Sequence, residues 1–174
     1  QQTCCLCGAE CSAEPMQENH RIISFDCKYC GEYGVEKIVL LDLKKNPENN
    51  LRIACVAAER RLQGLDGYII QLEARGEALG RSTTTTKSLL ASFPNSPLEL
   101  LDRALLNLSR MVEHPGTSIH IPENQPTVLF SKTREELVYV IAQFQKLGYV
   151  GPDERIVECI EAADRMNRSP SFLV

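Results

Sequence analysis

The sequence lacks a long apolar segment and a recognisable leader. No run of 18 apolar residues occurs among its 174 residues, so we expect no membrane-spanning helix. Residues 1–20 also lack the basic and then apolar order of a secretory signal. Together with the cysteine pattern described below, these absences predict a cytoplasmic protein, in a compartment where thiols stay reduced.

The chain also has few residues of the kinds that usually perform catalysis. Its three histidines are His20, His114 and His120, and no GxSxG, HExxH or nucleotide-binding glycine motif is present. His114 precedes a Pro-Gly pair that should end a helix, and His120 alternates with isoleucines as in a strand. We therefore predict that this chain is not an enzyme.

An excess of positive charge is absent as well. Residues 1–45 contain 5 basic and 7 acidic side chains, and residues 98–174 contain 8 and 11, within a net charge of −4. Because phosphate neutralisation supplies most non-specific affinity for DNA, these segments should bind duplex DNA poorly. Binding to nucleic acid is therefore only weakly supported.

The composition is that of a chain that can fold without disulfides. With 43% hydrophobic and 24% charged residues, 174 residues can bury a core of one medium domain with a smaller appendage. The eight cysteines therefore need another explanation than disulfide stabilisation.

Four of these cysteines form two matching motifs. Cys4 and Cys7 lie in one CxxCG sequence, Cys27 and Cys30 lie in a second, and 19 residues separate Cys7 from Cys27. Two CxxC turns can point four thiolates at one ion, and the glycine after each motif permits the positive φ that the turn requires. The spacing predicts a zinc ribbon over residues 1–45, with strands at 20–26 and 33–43.

The surplus cysteines leave alternatives open. Cys5 lies inside the first motif and Cys11 lies close after it, so either could replace one ligand. A disulfide framework is the other alternative, although paired CxxCG motifs are rare in oxidised scaffolds. His20 reads as a strand residue. A zinc ion held by four protein sulfurs would have no open position, and such a site is structural.

Residues 46–96 read as a helical linker region. Asn46 and Pro47 predict the start of a helix that carries an apolar face as far as Gly64. The segment 65–86 is ambiguous, and Thr83–Thr86 read as a loop that caps a short helix at 87–93. Arg60 and Arg61 form the best anion site in the sequence, although a solvated helix face is the favoured interpretation.

Residues 97–174 predict a winged-helix-like domain. Capping sequences precede two amphipathic helices, at 97–112 and 133–147. An extended piece at 117–121 lies between them, a hairpin at 148–160 follows, and a last helix is expected at 160–167. The predicted fold class is therefore α+β, with a small N-terminal zinc ribbon followed by a mainly helical domain.

Several stretches resemble the N-terminal region of a group of bacterial multidomain proteins. They are the two CxxCG motifs, LRIACVAAERRLQG, TTTKSLLASFPNSPLELLDRALLNL and REELVYVIAQFQKLGYV. In those proteins a zinc ribbon and a winged-helix-like segment precede a TIR-like or nucleoside 2-deoxyribosyltransferase-like domain. The resemblance implies that SPSFLV begins the first strand of such a domain, which would carry the NAD or nucleotide chemistry.

These observations predict a non-catalytic, zinc-binding regulatory module. We expect it to dock onto or restrain the downstream effector domain, or to self-associate, in bacterial defence signalling. The alternative is a DNA-binding transcription regulator with a zinc ribbon and a winged helix.

Overall fold

The computed structural model describes residues 2–74, 76–112, 121 and 126–151. In chain order the elements are β1 (Gln2–Thr3), β2 (Glu10–Pro15), β3 (Ile22–Cys27), β4 (Gly31–Glu36), α1 (Lys37–Leu43), α2 (Pro47–Leu62), β5 (Tyr68–Ile70), β6 (Glu77–Ala78), β7 (Arg81–Thr84), α3 (Thr86–Ala91), α4 (Pro97–Met111), a 3₁₀ turn (Pro126–Leu129) and α5 (Arg134–Lys146). This is the mixture of helices and strands that the sequence predicts.

The four N-terminal strands form an antiparallel sheet. β2 pairs with β3 from Ser12 opposite Asp26, and β3 pairs with β4 from Ile22 opposite Glu36 to Cys27 opposite Gly31. The two CxxC motifs lie in the turns from β1 to β2 and from β3 to β4. The predicted strand at 33–43 is partly wrong, because β4 ends at Glu36 and α1 begins at Lys37.

The same sheet continues beyond the ribbon. β5 adds to β4 in parallel, β7 adds to β5 in parallel, and β6 pairs with β7 at the edge, which gives the order β1-β2-β3-β4-β5-β7-β6. The predicted helical linker is therefore wrong for residues 68–84, and the sheet crosses the predicted boundary at residue 45. Likewise, Thr83 and Thr84 lie in β7 rather than in a loop.

Helix α2 covers one face of this sheet. It begins at Pro47, as predicted, and the chain turns at Gly64 with a φ of 68°. Ala54, Cys55 and Ala58 are fully buried in one hydrophobic cluster with Tyr33 and residues of every helix. Because these helix side chains are small, the helix can lie close to the strands.

The C-terminal helices begin where the capping sequences predict. The side chains of Ser96 and Thr133 accept hydrogen bonds from the backbone N–H of Glu99 and Glu136, and so cap α4 and α5. Their inner faces bury Leu108 and Phe144, whereas Leu98 is 70% exposed.

A largely buried ion pair joins α2 to α4. The Arg103 guanidinium donates two hydrogen bonds to the Glu59 carboxylate and one to the Ser92 carbonyl, and lies over the Phe130 ring.

A second buried polar contact joins α4 to the 3₁₀ turn. Asn107 is fully buried and donates to the Val128 carbonyl at 2.9 Å. These bonds satisfy polar groups that would otherwise be costly to bury, so they fix how the helices meet.

The parts that would complete a winged helix lie outside the described residues. This applies to the hairpin at 148–160 beyond Gly151, the helix at 160–167, and the extended piece at 117–121 apart from Ile121. The winged-helix arrangement stays a prediction.

Candidate metal centre

The first CxxC motif forms a tight turn between β1 and β2. The Cys4 N–H donates to the Ala9 carbonyl at 2.8 Å, and the Gly8 N–H donates to the Cys4 carbonyl at 2.9 Å. Gly8 has a φ of 76°, in the left-handed region that glycine adopts most easily. The Cys7 N–H points at the Cys4 Sγ from 3.5 Å, so the backbone curls around the sulfur.

The second motif joins β3 to β4. Cys27 is the last residue of β3, Cys30 is fully buried, and Gly31 opens β4 with a φ of 80°. A Cβ on Gly31 would lie 2.9 Å from the Asp66 side chain, which also accepts a hydrogen bond from the Glu32 N–H at 3.3 Å. Gly31 is therefore required both by its dihedral angle and by the close approach of the loop before β5.

The two turns bring the four predicted sulfur atoms together. The Sγ atoms of Cys4, Cys7, Cys27 and Cys30 all lie within 4.8 Å of one another. The distance is 3.8 Å from Cys4 to Cys30 and 3.6 Å from Cys7 to Cys27. A tetrahedron with Zn–S bonds of about 2.3 Å has edges of about 3.8 Å. The residues therefore fit a tetrahedral metal ion.

The alternatives left open by the sequence are not favoured by this geometry. All seven cysteines that the structure describes are free thiols, and the measured S–S separations far exceed the bond length of about 2.05 Å in a disulfide. Cys5 and Cys11 lie outside the four-sulfur group. His20 is exposed on the turn that precedes β3.

The four thiols perturb one another strongly. Contact with the Cys30 thiol lowers the pKa of Cys27, whereas contact with Cys27 raises the pKa of both Cys7 and Cys30. For Cys4, Cys27 raises the pKa and Cys30 and Cys7 lower it, which leaves it at about 7. A metal ion would bind all four as thiolates and relieve this competition for protons.

Burial also perturbs the thiols outside the four-sulfur group. Burial raises the pKa of Cys5 to about 12 and that of Cys11 to about 11. Cys55, on α2, is fully buried, and its pKa is also raised to about 12 by burial. Cys55 is thus a core residue, and Cys159 lies outside the described residues.

Tyr33 is a contact of the cluster that the sequence analysis missed. Its hydroxyl oxygen lies 2.9 Å from the Cys4 Sγ and 3.6 Å from the Cys5 Sγ. Burial raises the pKa of Tyr33 well above its usual range, so the hydroxyl keeps its proton. Its position in the sequence could have indicated a place near the cluster, because Tyr33 follows Cys30 by three residues. Tyr33 and Val35 both lie on the buried face of β4.

The other predicted candidates do not belong to the four-sulfur group or lie outside the described residues. Arg60 lies over the Tyr68 ring at 4.5 Å, and Arg61 is exposed. Thr85 caps α3 by accepting from the Ser88 N–H, which is a structural role. His114 and His120 lie outside the described residues.

The fold and the site together define a mixed α/β chain with a four-cysteine cluster able to bind a metal ion. No family model, curated protein or solved structure matches the chain. Among the described residues, none of the helices has the length and apolar character needed to cross a membrane.

Proposed function

We propose that Cys4, Cys7, Cys27 and Cys30 bind one Zn²⁺ ion and that this site is structural. The carrying observation is that the four Sγ atoms lie within 4.8 Å of one another. A tetrahedral set of four sulfurs suits zinc or iron, and two CxxC motifs that supply four cysteines are typical of structural zinc sites. All four positions are protein sulfurs, so water and substrate have no place on the ion.

The ion would join two turns that have few other links. One turn is held by β1, which is two residues long, and the other by the β3–β4 pair. Because the ligands converge only in the folded state, the free energy of metal binding stabilises the fold. Zinc would therefore tie the turn after the short edge strand β1 to the turn between β3 and β4.

We further propose that the chain is a non-catalytic regulatory module that docks onto or restrains a TIR-like effector domain in bacterial defence signalling. The observation that motivates this proposal is that large apolar side chains lie exposed on three helices, where a partner's surface could cover them. Leu41 on α1, Leu98 on α4 and Tyr139 on α5 are each more than 60% exposed.

Metal content of matched cysteine variants tests the zinc site. We expect wild-type protein, purified under reducing conditions without added metal, to contain one equivalent of zinc by elemental analysis and no stoichiometric iron. Cys27→Ser should lose the metal because it removes one thiolate. Cys11→Ser is the control, because Cys11 lies outside the four-sulfur group, and it should keep one equivalent.

Three results would contradict the proposal. They are wild-type protein without metal, a Cys11→Ser variant that loses zinc as fully as Cys27→Ser does, and one equivalent of iron in place of zinc.

A further inference from the structure

The side chain of Tyr33 is held rigidly beside the cysteine cluster. It is fully buried, and its ring lies between those of Phe25 and Tyr68. The centroid distances are 5.2 Å to Phe25 and 6.3 Å to Tyr68, with interplanar angles of 10° and 25°. Backbone pairing aligns these rings, since Tyr33 is opposite Phe25 on β3 and opposite Tyr68 on β5. Strand register therefore fixes where the Tyr33 hydroxyl points.

That hydroxyl meets one of the four ligand sulfurs at hydrogen-bonding distance. The Tyr33 oxygen lies 2.9 Å from the Cys4 Sγ. A sulfur bound to a metal is a thiolate and carries no proton, so the hydroxyl must be the donor in this contact. A divalent ion with four thiolates leaves two negative charges on the site. A hydrogen bond to a charged acceptor is stronger than a neutral one, especially where water is excluded.

We propose that Tyr33 is a positioning residue of the metal centre, whose hydroxyl donates to the Cys4 thiolate and thereby increases the affinity for the ion. This inference rests on the proposed zinc site. The hydroxyl stabilises the charged ligand and orients its sulfur toward the other three. Loss of such an outer contact typically weakens metal binding by about 10- to 100-fold.

The neighbouring Tyr68 offers a matched control. It is also fully buried in the same stack of rings, and its hydroxyl has no hydrogen-bond partner among the described residues. Tyr33→Phe and Tyr68→Phe each delete one buried oxygen and keep the ring. A difference between the two variants therefore reports the hydrogen bond to sulfur rather than the packing of the stack.

The test is competition for zinc with a chromophoric chelator, at one pH, for wild type and both variants. Tyr33→Phe should bind zinc about 10- to 100-fold more weakly than wild type, and Tyr68→Phe should stay within about twofold. With Co²⁺ as the probe, the sulfur-to-metal charge-transfer band of Tyr33→Phe should move to lower energy, because a thiolate without the donor gives up its electrons more easily. Tyr68→Phe should leave the band in place.

A measurement on wild-type protein covers the case in which Tyr33→Phe does not fold. In protein loaded with ¹¹³Cd, the hydroxyl proton of Tyr33 should show scalar coupling to the metal through Cys4.

Each contrary result has a distinct meaning. Equal affinity of Tyr33→Phe and wild type, equal losses in the two variants, or a ¹¹³Cd site without the coupling would overturn the role of Tyr33 and leave the zinc site standing. Wild-type protein that binds neither Zn²⁺ nor Co²⁺ would overturn the zinc site and this inference together.

Discussion

At the scale of single residues, the two glycines of the CxxCG motifs look equivalent in sequence but not in structure. Both have a positive φ, 76° at Gly8 and 80° at Gly31, as the motif predicts. Gly8 has open space around it, whereas a Cβ at Gly31 would lie 2.9 Å from the Asp66 side chain and 3.1 Å from the Arg61 Cβ. The sequence predicts the dihedral angle, but the close approach depends on a loop more than thirty residues away.

This difference predicts unequal effects of alanine at the two positions, and Gly8→Ala serves as the control for Gly31→Ala. In the metal-loaded protein, Gly8→Ala should cost only the strain of a left-handed alanine, about 1–2 kcal/mol. Gly31→Ala should cost about 1–3 kcal/mol more, because the new methyl group displaces Asp66 and Arg61. Urea denaturation of both variants measures the difference. Equal free energies of unfolding would show that the contact at Gly31 carries no energetic weight.

The four cysteines of the cluster were predictable because the two motifs are local in sequence. The spacing within a CxxC motif predicts that its two cysteine side chains can bind the same ion. This prediction does not depend on where the turn lies in the fold. Tyr33 was not predictable in the same way. Nothing in its neighbours along the chain says that the strand register brings its hydroxyl to Cys4.

At the scale of elements, the helices were easier to predict than the strands. α2, α4 and α5 are 13 to 16 residues long, and each begins at a proline or at a capping side chain. β5 and β7 have three and four residues, too few to show an alternating pattern. They exist as strands because β4 offers a parallel partner to β5, and β5 in turn offers one to β7. α1 was mistaken for strand because its KIVLLDL sequence has the apolar and β-branched residues typical of strands.

Because the sheet is continuous, the removal of the metal should affect strands on both sides of β4. Tyr33 on β4 is fully buried against Tyr68 on β5, so disorder at the cysteine cluster should reach β5. On removal of zinc by a chelator, amide hydrogen exchange should accelerate in β2, β3 and β4 and also in β5. The amides of α5 provide the reference, since α5 packs on the 3₁₀ turn rather than on the ribbon strands.

If exchange accelerates only up to residue 36, the sheet does not couple β4 to β5. The ribbon would then be an independent unit that ends at the boundary the sequence analysis drew near residue 45.

At the scale of the whole molecule, one hydrophobic cluster extends from the N-terminal strands to the C-terminal helices of the described residues. Cys4, Cys30, Ala54 and Phe144 all belong to it, so the metal centre and the C-terminal helices share a core. The sequence suggested a ribbon attached through a linker because it could not show that residues 68–84 complete the ribbon's own sheet. The cysteine cluster and the helices proposed to meet a partner are thus connected through one core.

X-ray absorption at the zinc edge, on protein purified without added metal, directly tests whether four cysteine sulfurs bind a zinc ion. We predict one zinc ion per chain with four sulfur neighbours at about 2.3 Å and no nitrogen or oxygen ligand. A first shell that includes nitrogen or oxygen at about 2.0–2.1 Å, or protein that holds no metal while Cys4, Cys7, Cys27 and Cys30 remain reduced, would contradict it.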